Sequence, residues 1–270
     1  MLSDITLGQY FPGRSILHRL APRVKLVLTL AAIVLIFVAF NFVSMALVVG
    51  LILTGMLLSG VPVKMYLKSM KAILFIVAFT SILNLFYGSG EPIFQFGFMQ
   101  ITMNGIYRCI FIAIRITALI LCSSILTFTT SPTQLTDAME RLMKPLNVLR
   151  VPVHDIAMMM SIALRFVPTL LEETDKIMSA QKARGADMES GGLIQRVKAM
   201  IPILIPLFVS AFRRAYDLAM AMECRCYNSR IKPTKMKQLH AGKRDVTATA
   251  VTLVVLAGVV LGDIFLPALA

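Results

Sequence analysis

Long apolar runs, with basic residues confined to alternate connections between them, constrain this chain more than any other feature. Five runs stand out: Val24–Phe40, Phe42–Leu58, Ala72–Tyr87, Asn104–Phe128 and Val246–Leu266. About 20 mostly apolar residues match the bilayer core, and in lipid only a helix or a closed barrel satisfies the backbone polar groups. Gly60-Val61-Pro62 ends the second run and Gly88-Ser89-Gly90 the third. Ile201–Phe212 is apolar too, but it is short and interrupted by Pro202 and Pro206, so it reads as a buried or surface-lying helix. The expected fold is an all-α membrane protein with about five transmembrane helices and a cytoplasmic-side domain of long amphipathic helices. Only 15% of residues are charged, against about 25% in soluble domains.

Charge sets the expected orientation. Arg14, Arg19, Arg23 and Lys25 precede the first run, Lys64, Lys68 and Lys71 lie between the second and third, and most other Lys and Arg follow the fourth. Asn41 alone joins runs one and two, and the 88–103 connection carries only Glu91 as a charge. The positive-inside rule therefore puts the N-terminus and the 131–245 block in the cytoplasm and the C-terminus outside. This divides the chain into a membrane domain (1–130), a cytoplasmic domain (131–245) and a last transmembrane helix (246–270). The N-terminus is polar through Lys25 and has no small-residue cleavage site, so no cleavable signal peptide is expected. The formal net charge of +13 is interrupted by apolar spans, which points to anionic membrane lipid and not to nucleic acid.

Within the block, Ser131-Pro132-Thr133 starts a helix with a capping residue and a first-turn proline. A second helix begins near Val153-His154-Asp155 and runs to Arg184, where Gly185 is a natural stop. Pro168 should kink it. Ser190-Gly191-Gly192 reads as a hinge, and a third helix follows from about Leu193 to Cys226, with Pro202 and Pro206 inside it. A basic linker, 228–242, leads back to the membrane. The second and third helices carry short arginine motifs at their polar ends, Ala183-Arg184-Gly185 and Cys224-Arg225-Cys226. A basic residue in a last helical turn is favoured by the helix dipole, by about 0.3–1 kcal/mol, so either motif alone is more often a helix end than a site. Two in one membrane chain point towards a docking role. The Met158–Met160 run is more often core filler, though a methionine stripe also serves a partner that must repack.

Chemistry-bearing constellations are scarce. Cys109 and Cys122 share an apolar run, while Cys224 and Cys226 form C-x-C with no second pair and no nearby histidine, so neither disulfide nor zinc spacing is present. His18, His154 and His240 are scattered, and no phosphate loop occurs. Neither catalysis nor a cofactor is expected. Arg108 and Arg115 share a face of the fourth run, which reads either as function or as snorkelling by Arg108 and an internal partner for Arg115. Acidic residues deep in the first four runs, expected of a proton- or sodium-coupled transporter, are missing from the sequence.

The two arginine motifs, together with 8–13 (Gly-Gln-Tyr-Phe-Pro-Gly), 18–26 (His-Arg-Leu-Ala-Pro-Arg-Val-Lys-Leu), 161–170 and 172–178, make the chain resemble the transmembrane T component of energy-coupling factor transporters. The resemblance covers nearly the whole chain. Its hallmark is a pair of Ala-Arg-Gly-like motifs ending two coupling helices. Ala183-Arg184-Gly185 matches in full, whereas Cys224-Arg225-Cys226 keeps only the arginine. The resemblance implies a non-catalytic scaffold in a bacterial cell membrane. Two ABC-type ATPase subunits, as a heterodimer, bind the coupling helices and ATP, and an interchangeable S component captures a vitamin or metal ion. On that footing Arg184 and Arg225 each meet an acidic groove on one ATPase subunit. Met159, Met160, Phe166 and Leu170 contact the S component, and Pro168, Gly191, Gly192, Pro202 and Pro206 let the long helices scissor. The rival is a self-contained ABC-type permease with its own substrate pathway.

Overall fold

The computed structural model describes residues 10–71, 73–86, 92–96, 99–186, 192–228 and 242–265. Gly8-Gln9, Gly88-Ser89-Gly90, Gly191, most of the 228–242 linker and the last residues of the chain lie outside the described residues. The chain forms two compact units, one built from 8–141 and 239–270, the other from 142–238.

The first unit holds most of the apolar helices. α1 (Pro22–Val38) starts with proline in its first turn, where the missing N–H costs nothing. α2 (Phe42–Ser59) ends at Gly60, whose φ of 67° is the left-handed cap that glycine adopts freely. The Lys-bearing connection between the second and third runs is a short helix, α3 (Val63–Lys71), bent by 59° from α4 (Leu74–Phe86). Its three lysines are exposed while Tyr66 is buried, so the segment is amphipathic, and a residue-by-residue hydropathy reading sees only the charges. The 88–103 connection contains an antiparallel hairpin of β1 (Pro92–Phe96) and β2 (Met99–Thr102), pairing Phe96 with Met99. α5 (Met103–Thr129) is capped by Thr102, whose hydroxyl accepts from the Gly105 N–H at 3.1 Å. α6 (Pro132–Met143) starts at proline as its sequence implies, and α9 (Lys243–Phe265) closes the unit.

The core of this unit is where α1, α2, α5 and α9 meet: Leu35, Ile36, Met45, Val48, Ile52, Ala118, Cys122 and Val259 are buried together. Small residues permit the close approach. An added Cβ at Gly262 would stand 3.0 Å from Ser44 Oγ, and one at Gly258 3.7 Å from Leu47. Lipid is as apolar as leucine, so such helices associate through dispersion and polar contacts and not through hydrophobic exclusion. A second cluster, Val61, Tyr66 and Phe128, is held by an edge-on ring contact of 5.1 Å and a Tyr66–Ser59 hydroxyl bond of 2.9 Å.

The second unit contains a 3-10 turn (Lys144–Leu149), α7 (Val153–Ala183) and α8 (Leu193–Cys224). Both helices match the expected long amphipathic pair. α7 runs without a break through Pro168, and α8 through Pro202 and Pro206. Ile201–Phe212, expected to be buried or surface-lying, is the interior of α8, and of its apolar residues only Ile203 is buried.

Five helices among the described residues are long and apolar enough to cross a membrane: α2, α5, α7, α8 from Val197, and α9. They are not the five read from hydropathy. α1 is 17 residues long and α4 only 13, about 20 Å against a core of about 30 Å. The bent α3–α4 pair passes the test when taken together.

Candidate functional site

The ends of α7 and α8 are built alike. At the α7 end the Ala186 N–H reaches the Gln181 carbonyl at 3.0 Å and the Gly185 N–H reaches Lys182 at 3.0 Å. Gly185 has a φ of 87°. These two bonds around a left-handed residue form a Schellman motif, with Arg184 at its cap position. At the α8 end the Tyr227 N–H reaches Met222 at 3.0 Å and the Cys226 N–H reaches Glu223 at 2.8 Å, with Cys226 at a φ of 56°. Arg225 thus occupies the position that Arg184 occupies on α7. The departure from Ala-Arg-Gly is absorbed by the backbone, because Cys226 adopts the strained conformation in which glycine is at ease.

Both arginines are exposed, and among the described residues neither guanidinium has a side-chain partner. Their neighbours Ala183, Gly185, Cys224 and Cys226 are exposed as well, the two cysteines as free thiols. An exposed guanidinium on a rigid helix end offers a planar fork of donors to an incoming carboxylate.

Contacts between α7 and α8 establish how the two ends are spaced. Arg214 donates to Glu173 at 2.8 Å, and Gln181 Nε2 donates to the Pro202 carbonyl at 3.5 Å. Advancing along α7 therefore means retreating along α8, so the helices cross antiparallel. Arg184 lies one turn beyond Gln181, while Arg225 lies about 35 Å of helix axis beyond Pro202. The two arginines sit at opposite ends of the pair.

Of the proposed contact residues on α7, Met159 and Met160 are exposed, whereas Phe166 and Leu170 are half-buried. A larger apolar stripe lies on α8, where Ile201, Ile205, Phe208, Phe212, Tyr216 and Met220 are all exposed, with Phe208 and Phe212 stacked at 6.4 Å. The signal for it, recurrence at three and four residues, is present in the sequence. Pro202 and Pro206 lie within that stretch without breaking the helix. Of the hinge residues, Gly192 caps α8, its N–H meeting the Gln195 side chain at 3.3 Å, and Pro168 is exposed on α7.

In the membrane unit, Arg115 has the internal partner its position implies. It donates to the Ala39 carbonyl at the end of α1 and lies 4.8 Å from the centre of the Phe111 ring, while Arg108 is exposed. A polar knot at the other end of the unit has no single-residue signal. Asp245 accepts from the Ala21 N–H at 2.9 Å and the Gly242 N–H at 2.8 Å, so one buried carboxylate caps the starts of α1 and α9. Buried Lys25 donates to the Thr129 carbonyl at 2.9 Å, at the end of α5. No cluster of three or more potential metal ligands occurs among the described residues.

Comparison with known proteins agrees with this architecture. The family model described as "Cobalt transport protein" matches residues 13–236. The energy-coupling factor transporter transmembrane protein EcfT of Ruminiclostridium cellulolyticum is 50% identical over 261 residues, covering 97% of this chain and 98% of that protein. Its counterpart in Thermosediminibacter oceani is 47% identical over 251 residues, 93% of this chain and 95% of that protein. The Bacillus subtilis protein of the same name is 47% identical over 259 residues, 95% and 97% of the respective chains. With matching that spans both the membrane helices and the two arginine-ended helices, the chain belongs to the family of transmembrane components of energy-coupling factor transporters.

Proposed function

We propose that this chain is the non-catalytic scaffold of an energy-coupling factor importer, linking ATP hydrolysis by two ABC-type ATPase subunits to vitamin uptake through a separate S component. The observation that carries the proposal is the equivalence of the α7 and α8 ends, each presenting one exposed arginine, without a side-chain partner among the described residues, at the cap of a Schellman motif. Two such ends, spaced by the antiparallel crossing, suit one ATPase subunit each. The two ATPases, as a heterodimer, bind the nucleotide.

Charge supports placing α7 and α8 at the cytoplasmic face although both are apolar enough to span. α7 carries Asp155, Arg165, Glu172, Glu173, Asp175 and Lys176, and α8 carries Arg213, Arg214 and Asp217 well inside its length. Each charge held at the bilayer centre costs about 2.5–3.5 kcal/mol on insertion scales. The proposed division is then a membrane domain over 1–130, a coupling domain over 131–245 and a last transmembrane helix over 246–270, with the C-terminus outside. The exposed stripe on α8, with Met159 and Met160 on α7, offers the apolar face that an interchangeable S component needs.

The test is co-purification. The double variant Arg184→Glu/Arg225→Glu is expected to lose its ATPase subunits, since truncating one partner of a desolvated charge pair costs about 2–5 kcal/mol. Each single reversal should lower vitamin uptake. ATPase subunits retained at wild-type ratio, together with unchanged uptake, would defeat the proposal. Vitamin binding by the isolated chain would instead favour a self-contained permease.

A further inference from the structure

The membrane unit contains a groove of about 290 Å³ between α1, α2, α5 and α9. α2 and α9 pack tightly at one end, where Ser44 meets Asp263 at 2.7 Å and Leu47 lies close to Gly258. At the other end the groove lies between them, with Thr54 and Leu58 exposed on one lip and Thr247 and Val251 on the other. Its inner wall is formed by Ala32, Ile52, Cys122 and Ile125. Each helix contributes a strip about two turns long, so the groove is roughly 10 Å deep along the helix axes.

The lining contains five threonines, but all have turned their hydroxyls away. Thr29, Thr54, Thr129, Thr247 and Thr252 each donate to a carbonyl three or four residues earlier on their own helix, at 2.7–3.0 Å. Lys25, at the polar end, is committed to the Thr129 carbonyl. The wall therefore offers methyl groups and no free donor to a polar solute. At the mouth stands Arg244, in the first turn of α9, exposed and without a side-chain partner among the described residues. The first turn of a spanning helix lies at headgroup level. An apolar slot wide enough for a chain, ending beside this exposed guanidinium, is complementary to an amphiphile with an anionic head.

We propose that this groove is a binding site for one anionic phospholipid, an acyl chain lying between α2 and α9 and the phosphate paired with Arg244. Such a lipid fills space that the helices leave open and holds the α9 end at a defined separation from α2. The site depends on the membrane unit alone and not on the coupling helices.

The test uses full-length protein in a non-ionic detergent, offered phosphatidylglycerol or phosphatidylcholine with matched acyl chains, and reads retained lipid by native mass spectrometry. Phosphatidylglycerol is expected to be retained about fivefold better, the preference that one basic residue near a membrane surface confers. Arg244→Gln, an exposed substitution, should remove that preference without changing thermal unfolding. Gly55→Leu should reduce retention without altering charge, because the new side chain enters the slot and its Cβ would stand in ordinary contact, 3.6 Å from Ile125 Cδ1. Equal retention of the two lipids would overturn the proposal. So would retention that survives Gly55→Leu, which would mean headgroup attraction at the surface only, or a second copy of the chain appearing in place of lipid.

Discussion

Arg184 and Arg225 gain their position from residues that follow them. The left-handed residue after each arginine ends the helix and leaves the guanidinium at a fixed cap. Gly185 fills that role without strain, and space is open where its Cβ would stand, so Gly185→Ala should cost only the conformational penalty, about 1 kcal/mol. Cys226 already bears a similar penalty. Cys226→Gly is therefore expected to stabilise the α8 end by up to about 1 kcal/mol. Slower exchange of the position-226 amide and of the Tyr227 amide would register it. An unchanged exchange rate would mean that the surrounding chain, and not the cap, holds this end. The first motif was legible in sequence because glycine advertises a left-handed position. The second was legible only through its arginine, since cysteine gives no such signal.

Helices are the level at which hydropathy reads best and misleads most. Length and composition identify α2, α5 and α9 as spans, and the periodicity of α7 and α8 is visible from Val153 and Leu193 onward. The same criteria place α7 and α8 among the possible spans and omit α1, which is too short by itself. A moving average cannot weigh where charges sit around a helix. Packing between elements rests on small residues. Gly262→Leu is expected to push α9 off α2, breaking the Ser44–Asp263 bond and costing about 1–3 kcal/mol, read as a lower melting temperature in detergent. By contrast, Glu173→Gln should leave the melting temperature nearly unchanged, because the Arg214–Glu173 pair is partly exposed and screened by solvent. A large loss there would show that the α7–α8 crossing depends on that single contact.

At the scale of the whole molecule, the membrane unit is assembled from both ends of the chain, with the 142–238 unit inserted between α6 and α9. Asp245 closes it by capping two helix starts, one of them 224 positions away in sequence. Its charge also acts favourably on buried Lys25. Asp245→Ala would leave the Ala21 N–H without its partner and Lys25 without that charge. A loss of about 3 kcal/mol is expected, visible as early unfolding of the membrane unit. Asp245→Asn should be milder, since it keeps an acceptor for Ala21. Equal stability of wild type and Asp245→Ala would show that helix packing alone closes the unit.

The sequence by itself determined the all-helical membrane class, the two long amphipathic helices and the arginine at the end of each. Those features follow from local rules: backbone bonds must close within a segment in lipid, apolar residues recur at the helical period, and glycine stops a helix. Only the tertiary structure decided that α7 and α8 cross antiparallel, that Cys226 stands in for a glycine, that Asp245 and Lys25 tie three helix ends, and that α2 and α9 part to leave a groove. Each of these depends on which distant residues come within a few ångströms, and periodicity along one chain segment carries no information about its neighbours in space.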